Sequence, residues 1–226
     1  VAGRYDEAYF TDLTARYRQR TRFARQRIAN VFTLLPPLVG RRFLDLGSGM
    51  GTFAIEAGRE GAMAVGLDLA PAALTAAQKV AAAELVVASF VRADGAELPV
   101  RSRSLDIVLA ADLTEHLDDV TLGRVLREAK RALKPAGTLV LYTPNRMHLF
   151  ERLRERRLLR DADPSHIGMR SEAELAEAVK AAGLRVVAIR HLPSHLPGWN
   201  LLERAFARWL PLLRRRIGLI AKEAGA

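Results

Sequence analysis

Apolar and polar positions change period several times along this chain. Over residues 12–35, Leu13, Tyr17, Ala24, Ile28, Val31 and Leu35 recur at three-, four- or seven-residue spacing, which is the period of a helix. Arg16, Arg18, Arg20, Arg22, Arg25 and Arg27 fill much of the remainder, and Pro36-Pro37 ends the pattern. Arg42–Leu46 then reads as a short apolar strand running into a glycine-rich turn. Thr52–Glu60 reads as a helix and Ala62–Leu67 as a second strand ending at Asp68. Pro71–Ala83 is an alanine-rich helix with proline at its first position, where a missing N–H costs little. Leu85–Arg92, Ser104–Ala111 and Gly137–Thr143 read as three further strands, with a helix over Asp119–Leu133.

Strands and helices alternating at short intervals predict a parallel sheet covered by helices on both faces. In such a sheet the ligand lies over the carboxyl ends of the strands, where the strand order reverses. Residues 146–170 interrupt the alternation. Arg146–Arg160 is basic and helix-compatible, and Asp161–Pro164 reads as a turn, so this stretch is an insertion or lid. Glu172–Ala182 reads as a helix and Leu184–His191 as a sixth strand. Trp199–Leu213 is an amphipathic helix cut by Pro211, and Ile217–Lys222 is a last strand set antiparallel beside the sixth. The expectation is a single domain over 1–226. Within it, 1–40 form a basic cap, 41–145 the cofactor-binding core, 146–170 the insertion, and 171–226 the rest of the sheet with the amphipathic helix.

Half of the 226 residues are apolar and 27% are charged, a composition that builds a core. The net charge of +10 sits at the ends: nine arginines against three acids over 1–42, and six basic against two acidic residues over 201–226. Nucleic acid or an anionic membrane would attract such ends, and solvated helix faces account for them equally well. The absence of cysteine excludes disulfides, thiolate-bound metal and a thiol nucleophile. No apolar run approaches the ~18 residues of a membrane span. The first ten residues do not read as a secretory leader. The expected location is the cytoplasm, with contact at the inner face of the membrane left open.

The informative stretch is Phe43-Leu44-Asp45-Leu46-Gly47-Ser48-Gly49-Met50-Gly51. Glycines allow a tight strand-to-helix turn and let a ligand touch the backbone. A dinucleotide fingerprint would want its third glycine at position 52, which is Thr52. Asp45, two residues before the first glycine, would repel a pyrophosphate and suits a ligand with a positive end. Asp68, ending the second strand, can accept both hydroxyls of a ribose. Asp94-Gly95-Ala96, ending the third, can pair with an adenine edge. A ligand with a cationic end, a ribose and an adenine, but no phosphate, is S-adenosylmethionine.

On these residues the chain resembles the class I S-adenosylmethionine-dependent methyltransferases, in particular those acting on small molecules in ubiquinone and menaquinone biosynthesis. The resemblance extends to Gly66-Leu67-Asp68, Ala93 to Pro99, Ser104 to Val108 and Leu133 to Leu139, and is strong over about residues 40–145. It implies a doubly wound α/β, Rossmann-like fold. The sheet has seven strands in the order 3-2-1-4-5-7-6, with strand seven antiparallel. The cofactor residues expected are Asp45, Gly47, Ser48, Gly49, Gly51, Asp68, Leu69, Asp94, Gly95, Ala111 and Asp112, with S-adenosylhomocysteine as the product. Asp106 reads as a brace for local backbone, and Lys134 to Gly137 as a turn.

The loop Ala110-Ala111-Asp112-Leu113-Thr114-Glu115-His116-Leu117 should sit at the mouth of the site. Enzymes that methylate base amines often carry Asp/Asn-Pro-Pro-aromatic here, and this chain does not. Glu115-His116 instead resembles the small-molecule enzymes. Methyl transfer from a sulfonium needs alignment of nucleophile, methyl and sulfur. A phenol or alcohol must also lose a proton, for which histidine is suited. The expected catalytic residues are therefore His116, Glu115 and His166, and the expected reaction is O-methylation of a small or lipid-like acceptor of quinol, phenol or natural-product type. An RNA methyltransferase and a non-catalytic cofactor-binding protein are the alternatives. Some members of the resembling group hold a divalent metal, for which Asp112, Glu115 and His116 are the available residues; no metal ligand is assigned. The stripe of Trp199, Leu202, Phe206, Trp209 and Leu213, with arginines elsewhere, leaves open a peripheral membrane contact or packing on the sheet or on a second subunit.

Overall fold

The computed structural model describes residues 7–156, 158, 163–194, 198–207 and 209–223. Seven strands form one sheet: β1 (Arg42–Leu46), β2 (Met63–Asp68), β3 (Ala88–Arg92), β4 (Leu105–Ala111), β5 (Leu133–Pro144), β6 (Leu184–Leu192) and β7 (Arg216–Glu223). Their order is β3-β2-β1-β4-β5-β7-β6. β7 runs antiparallel to β5 and β6, and every other pairing is parallel. This is the order and the antiparallel last strand expected from the resemblance.

The helices are α1 (Glu7–Arg18), α2 (Arg22–Phe32), α3 (Thr52–Arg59), α4 (Pro71–Ala83), α5 (Asp119–Ala132), α6 (Leu149–Glu155), α7 (Glu172–Ala181) and α8 (Trp199–Phe206). Strand side chains alternate between two cores, as a period of two requires. Val108 and Ala110 of β4 join Leu44, Leu46, Leu122, Leu126 and Leu175 on the side of α5 and α7. Ile107 and Leu109 join Phe43, Phe53, Val31 and Leu34 on the side of α2 and α3. A third cluster joins Phe10 and Tyr17 of α1 to Met50 of the glycine turn and to Ala73 and Val80 of α4.

Several boundaries differ from the sequence reading. The single helix over 12–35 is two helices. Arg20 adopts a left-handed φ of 50°, which no helix interior tolerates, and the Thr21 hydroxyl accepts the Ala24 N–H as an N-cap. The cap starts a new helix in the middle of an arginine-rich run that reads as continuous. The strand expected from Leu85 begins at Ala88, after Leu85 itself turns left-handed (φ 54°). β5 starts earlier than expected, at Leu133, but its pairing with β4 jumps register. Leu105 pairs with Leu133 and Ile107 with Thr138, so Lys134 to Gly137 stand outside the ladder. Asp106 beside this irregularity accepts the Arg42 N–H and pairs with Lys134, a structural brace as read. The helix expected to Leu213 ends at Phe206, and Pro211–Leu213 form a separate 3-10 turn. Asp161, Ala162, His195, Arg208 and residues 1–6 lie outside the described residues. Among the described residues no helix is long and apolar enough to cross a membrane.

Candidate functional site

The strand order reverses between β1 and β4, so the loops after these two strands share one crevice. The loop after β1 carries the glycines. Gly47, Gly49 and Gly51 have φ of 67°, 52° and 80°, values that side chains other than glycine rarely adopt. Space reinforces the requirement. A Cβ at Gly51 would stand 2.6 Å from the Phe90 ring, and one at Gly47 would stand 2.8 Å from Leu113. Phe10 of α1 lies over Gly49, so the first helix covers the turn. Tyr17 anchors that helix by donating to Glu56 at 2.5 Å.

Asp45 and Asp68 flank the turn. Asp68 accepts the Gly49 N–H at 2.8 Å through one oxygen and the Ala70 N–H at 2.9 Å through the other. It closes β2 directly against the turn. Asp45 is fully buried and accepts the Ala54 N–H at 3.2 Å. Burial pushes its carboxyl up to about 7, against the pull of the Arg27 charge and the Ala54 N–H. Its Oδ1 and the Ser48 Oγ are both buried without a hydrogen-bond partner. Unpaired buried polar atoms are rare. Two of them at one glycine turn fit a polar ligand that completes the site, and an ammonium or sulfonium beside Asp45 would favour its ionised form. Asp94, just after β3, is exposed; it accepts the Ala96 N–H at 2.8 Å, so that N–H is already engaged. Leu69 is exposed and Ala111 is buried at the end of β4.

The loop after β4 carries the second half of the crevice. Asp112 has a left-handed φ of 53° and is gripped by Arg27 at 2.6 Å and Arg216 at 2.5 Å. Burial opposes its charge, but the two guanidiniums hold its carboxyl below the ordinary range. This engagement sets Asp112 apart from the metal trio considered in the sequence. The partner that joins Glu115 and His116 is His166. One ligand atom from each of these three lies within 4.8 Å of the others. The imidazoles of His116 and His166 meet edge to face at 4.9 Å. Glu115 is buried and accepts the Thr143 hydroxyl at 3.0 Å. Burial, and then the Asp112 charge, push its carboxyl up to about 8. His116 Nδ1 stands 3.1 Å from the Ser165 carbonyl. A carbonyl only accepts, so Nδ1 carries the proton and the basic lone pair is on Nε2. Burial and the neighbouring His116 push His166 downward.

Arg170 holds these pieces together. It donates to the carbonyls of Thr114, Gly168 and Leu117 and pairs with Asp119 at 2.6 Å. The Gly168 N–H reaches the Glu115 carbonyl at 2.8 Å. A Cβ on Gly168 would stand 1.9 Å from the Leu117 oxygen. Sequence reasoning did not single out Arg27, Arg170 or Arg216 as site residues. Arg27 and Arg216 sit in runs of arginine that read as solvent faces, and Arg170 carries no local signal.

A seven-stranded sheet of this order, with a glycine turn after the first strand and an acid ending the second, defines the class I methyltransferase fold. Residues 15–189 match the sequence model of a methyltransferase-domain family. The chain belongs to that family and carries an S-adenosylmethionine-dependent methyltransferase domain. Over 112 residues it is 37% identical to a ubiquinone biosynthesis O-methyltransferase of Azorhizobium caulinodans, covering 50% of this chain and 44% of that protein. The chain thus spans less than half the length of this relative. An S-adenosylmethionine-dependent methyltransferase from Mesorhizobium loti superposes with a TM-score of 0.64 at 21% identity, over 85% of this chain and 95% of the other. Magnesium protoporphyrin IX methyltransferase from Synechocystis, solved with S-adenosylhomocysteine, superposes with a TM-score of 0.64 at 15% identity, over 96% and 83%.

Proposed function

We propose that the chain transfers a methyl group to an oxygen of a small, phenol- or alcohol-type acceptor, with His116 as the general base. The cofactor, when bound, supplies an electrophilic methyl on a sulfonium. Gly47, Ser48, Gly49 and Gly51 would line its backbone contacts, Asp45 would balance its positive end, and Asp68 would accept from its ribose. Asp94 and Gly95 would face the adenine, with Leu69 beside it, and Ala111 and Asp112 would border the methyl end.

The observation that carries the acceptor side is the hydrogen bond from His116 Nδ1 to the Ser165 carbonyl. It orients the ring and puts the ring proton on Nδ1, so the basic nitrogen that would take the acceptor's hydroxyl proton is Nε2. His166 stands edge to face against His116, and would face the acceptor beside it. Glu115, neutral in its buried position near pH 7, holds Thr143 and the loop carbonyl that Gly168 reaches. The Azorhizobium relative is an O-methyltransferase, which supports oxygen as the target atom.

The test is transfer of labelled methyl from S-adenosylmethionine to a panel of catechols and phenols. We expect O-methylated products. His116→Gln should lower kcat at least about tenfold with the affinity for the methyl donor unchanged. Normal turnover of that variant would remove the base role, and label on nitrogen or carbon would remove the oxygen reading.

One observation favours a second reading of the same residues. A carboxylate and two imidazoles within 4.8 Å are a ligand set for a zinc- or manganese-type ion. In that reading Glu115, His116 and His166 hold the ion, which would orient the acceptor oxygen and acidify its hydroxyl. Turnover that is lost to a chelator and restored by the metal supports this version; turnover indifferent to chelation discards it.

A further inference from the structure

Helix α8 presents apolar side chains to solvent and turns its acid inward. Leu201, Leu202 and Phe206 are 66%, 45% and 46% exposed, while Glu203 is 4% exposed. Trp209, Leu210 and Leu212, in the turn that follows, are exposed as well. Single exposed apolar residues are ordinary, but a group of this kind on one helix and its following turn marks a surface that something covers. Of the stripe expected from the sequence, Leu202, Phe206 and Trp209 therefore do not pack on the sheet.

Contacts at both ends of the helix fix this orientation. Glu203 Oε2 accepts the Ser194 N–H at 2.5 Å, just beyond β6. At the other end Arg214 Nε donates to the Ala207 carbonyl at 3.0 Å, one of the carbonyls that a helix C-terminus leaves without an internal partner. Trp199 stacks on Phe150 of α6 at 4.8 Å. Rolling α8 to bury its leucines would break all three contacts.

The charge along these segments has one sign. Residues 199–213 hold two arginines, Arg204 and Arg208, and one acid, the buried Glu203. Residues 146–160, whose helix α6 packs on α8 through Phe150, hold six arginines and two glutamates. One of the two, Glu151, is already paired with Arg154. A second copy of the chain would meet this surface with the same surface, because a two-fold contact is isologous. Such a contact brings two cationic segments together, with the α8 acid of each buried. A bilayer with anionic headgroups supplies apolar tails and negative charge at once. Tryptophan and arginine beside leucine and phenylalanine are the composition of helices that lie in that interface.

We propose that α8 and the turn after it dock on an anionic lipid surface, with Leu201, Leu202, Phe206, Trp209 and Leu210 entering the headgroup region. The inference goes beyond the transferase reading, since docking needs neither methyl donor nor acceptor.

Sedimentation of the whole chain with vesicles tests it. The probes are vesicles of phosphatidylcholine alone and of phosphatidylcholine mixed with phosphatidylglycerol. We expect the mixed vesicles to bind at least about tenfold more tightly, and added salt to weaken that binding. Leu202→Gln combined with Phe206→Gln should weaken it at least about tenfold with Tm unchanged, since both side chains are exposed. In Trp199→Phe, Trp209 is the sole tryptophan, and its emission should shift to the blue on the mixed vesicles. No binding to the mixed vesicles, equal binding to both kinds, full binding by the double variant or an unshifted Trp209 emission would each overturn the proposal. So would a concentration-dependent dimer in ultracentrifugation that the double variant abolishes, because the surface would then belong to a second copy. Failure of methyl transfer with catechols would leave the vesicle result untouched.

Discussion

Asp68 accepts two backbone N–H groups, one on each side of the crevice wall, and each of its oxygens keeps a second lone pair. Asp68→Ala should therefore weaken binding of S-adenosylmethionine by about 1–3 kcal/mol, read by calorimetry; unchanged affinity would remove Asp68 from the cofactor site. Asp45 carries a pH signature. Its carboxyl is raised from an ordinary 3.8 to about 7 in the folded chain. A raised value means that the folded state holds a proton the unfolded state has lost. The stability it contributes is full below about pH 4 and is lost as pH rises through about 7. Melting curves of the ligand-free protein from about pH 5 to pH 8 should show Tm falling, with a shallower fall in Asp45→Asn. Parallel slopes for the two proteins would show that Asp45 is already ionised in the fold. The aspartates and glycines were legible as a ligand cradle because their spacing encodes the turn. The tie between Asp45 and Arg27 was not legible, because their separation in sequence carries no signal.

At the scale of elements, local chemistry sets most boundaries. Pro71 starts α4 and Ser171 with Glu174 forms a reciprocal cap on α7. Arg42–Leu46 and Pro71–Ala83 were read with the bounds observed. The break between α1 and α2 was missed, because the apolar period continues across it. Thr21 is the cap that makes the break. Thr21→Ala should cost about 1 kcal/mol, seen as a lower urea midpoint with an unchanged m-value; a stability equal to wild type would mean that packing of Tyr17 and Phe10 alone fixes the bend. Lys134 to Gly137 illustrate the reverse case. Their residues signal a turn, and they do leave the ladder, but the strand resumes on both sides because β4 offers partners to Leu133 and Thr138.

Across the whole molecule, Arg27, Asp112 and Arg216 join the N-terminal cap, the end of β4 and the start of β7. The two arginine side chains are 18% and 21% exposed, although both belong to runs that read as solvated. Arg216→Met would leave Asp112 with one partner in a largely buried place. Breaking a buried pair costs up to several kcal/mol, and with Arg27 still present the expected loss is about 2–3 kcal/mol in denaturant melts. Asp112→Leu combined with Arg216→Met should recover part of that loss. Additive losses in the double variant would show that the two residues act independently.

The residues alone determined the alternation of strands and helices, the glycine turn and the acids that close the first three strands. These depend on neighbours a few positions apart, and periodicity and turn chemistry record such neighbours directly. The strand order came with the family resemblance and was met in the fold. Only tertiary structure decided that His166 rather than Asp112 joins Glu115 and His116, that Arg170 binds their loop, and that α8 turns a carboxylate inward. Those outcomes rest on burial and on charge balance among segments up to about 190 residues apart. A side chain's environment there depends on which surfaces the sheet brings together, which no local pattern contains.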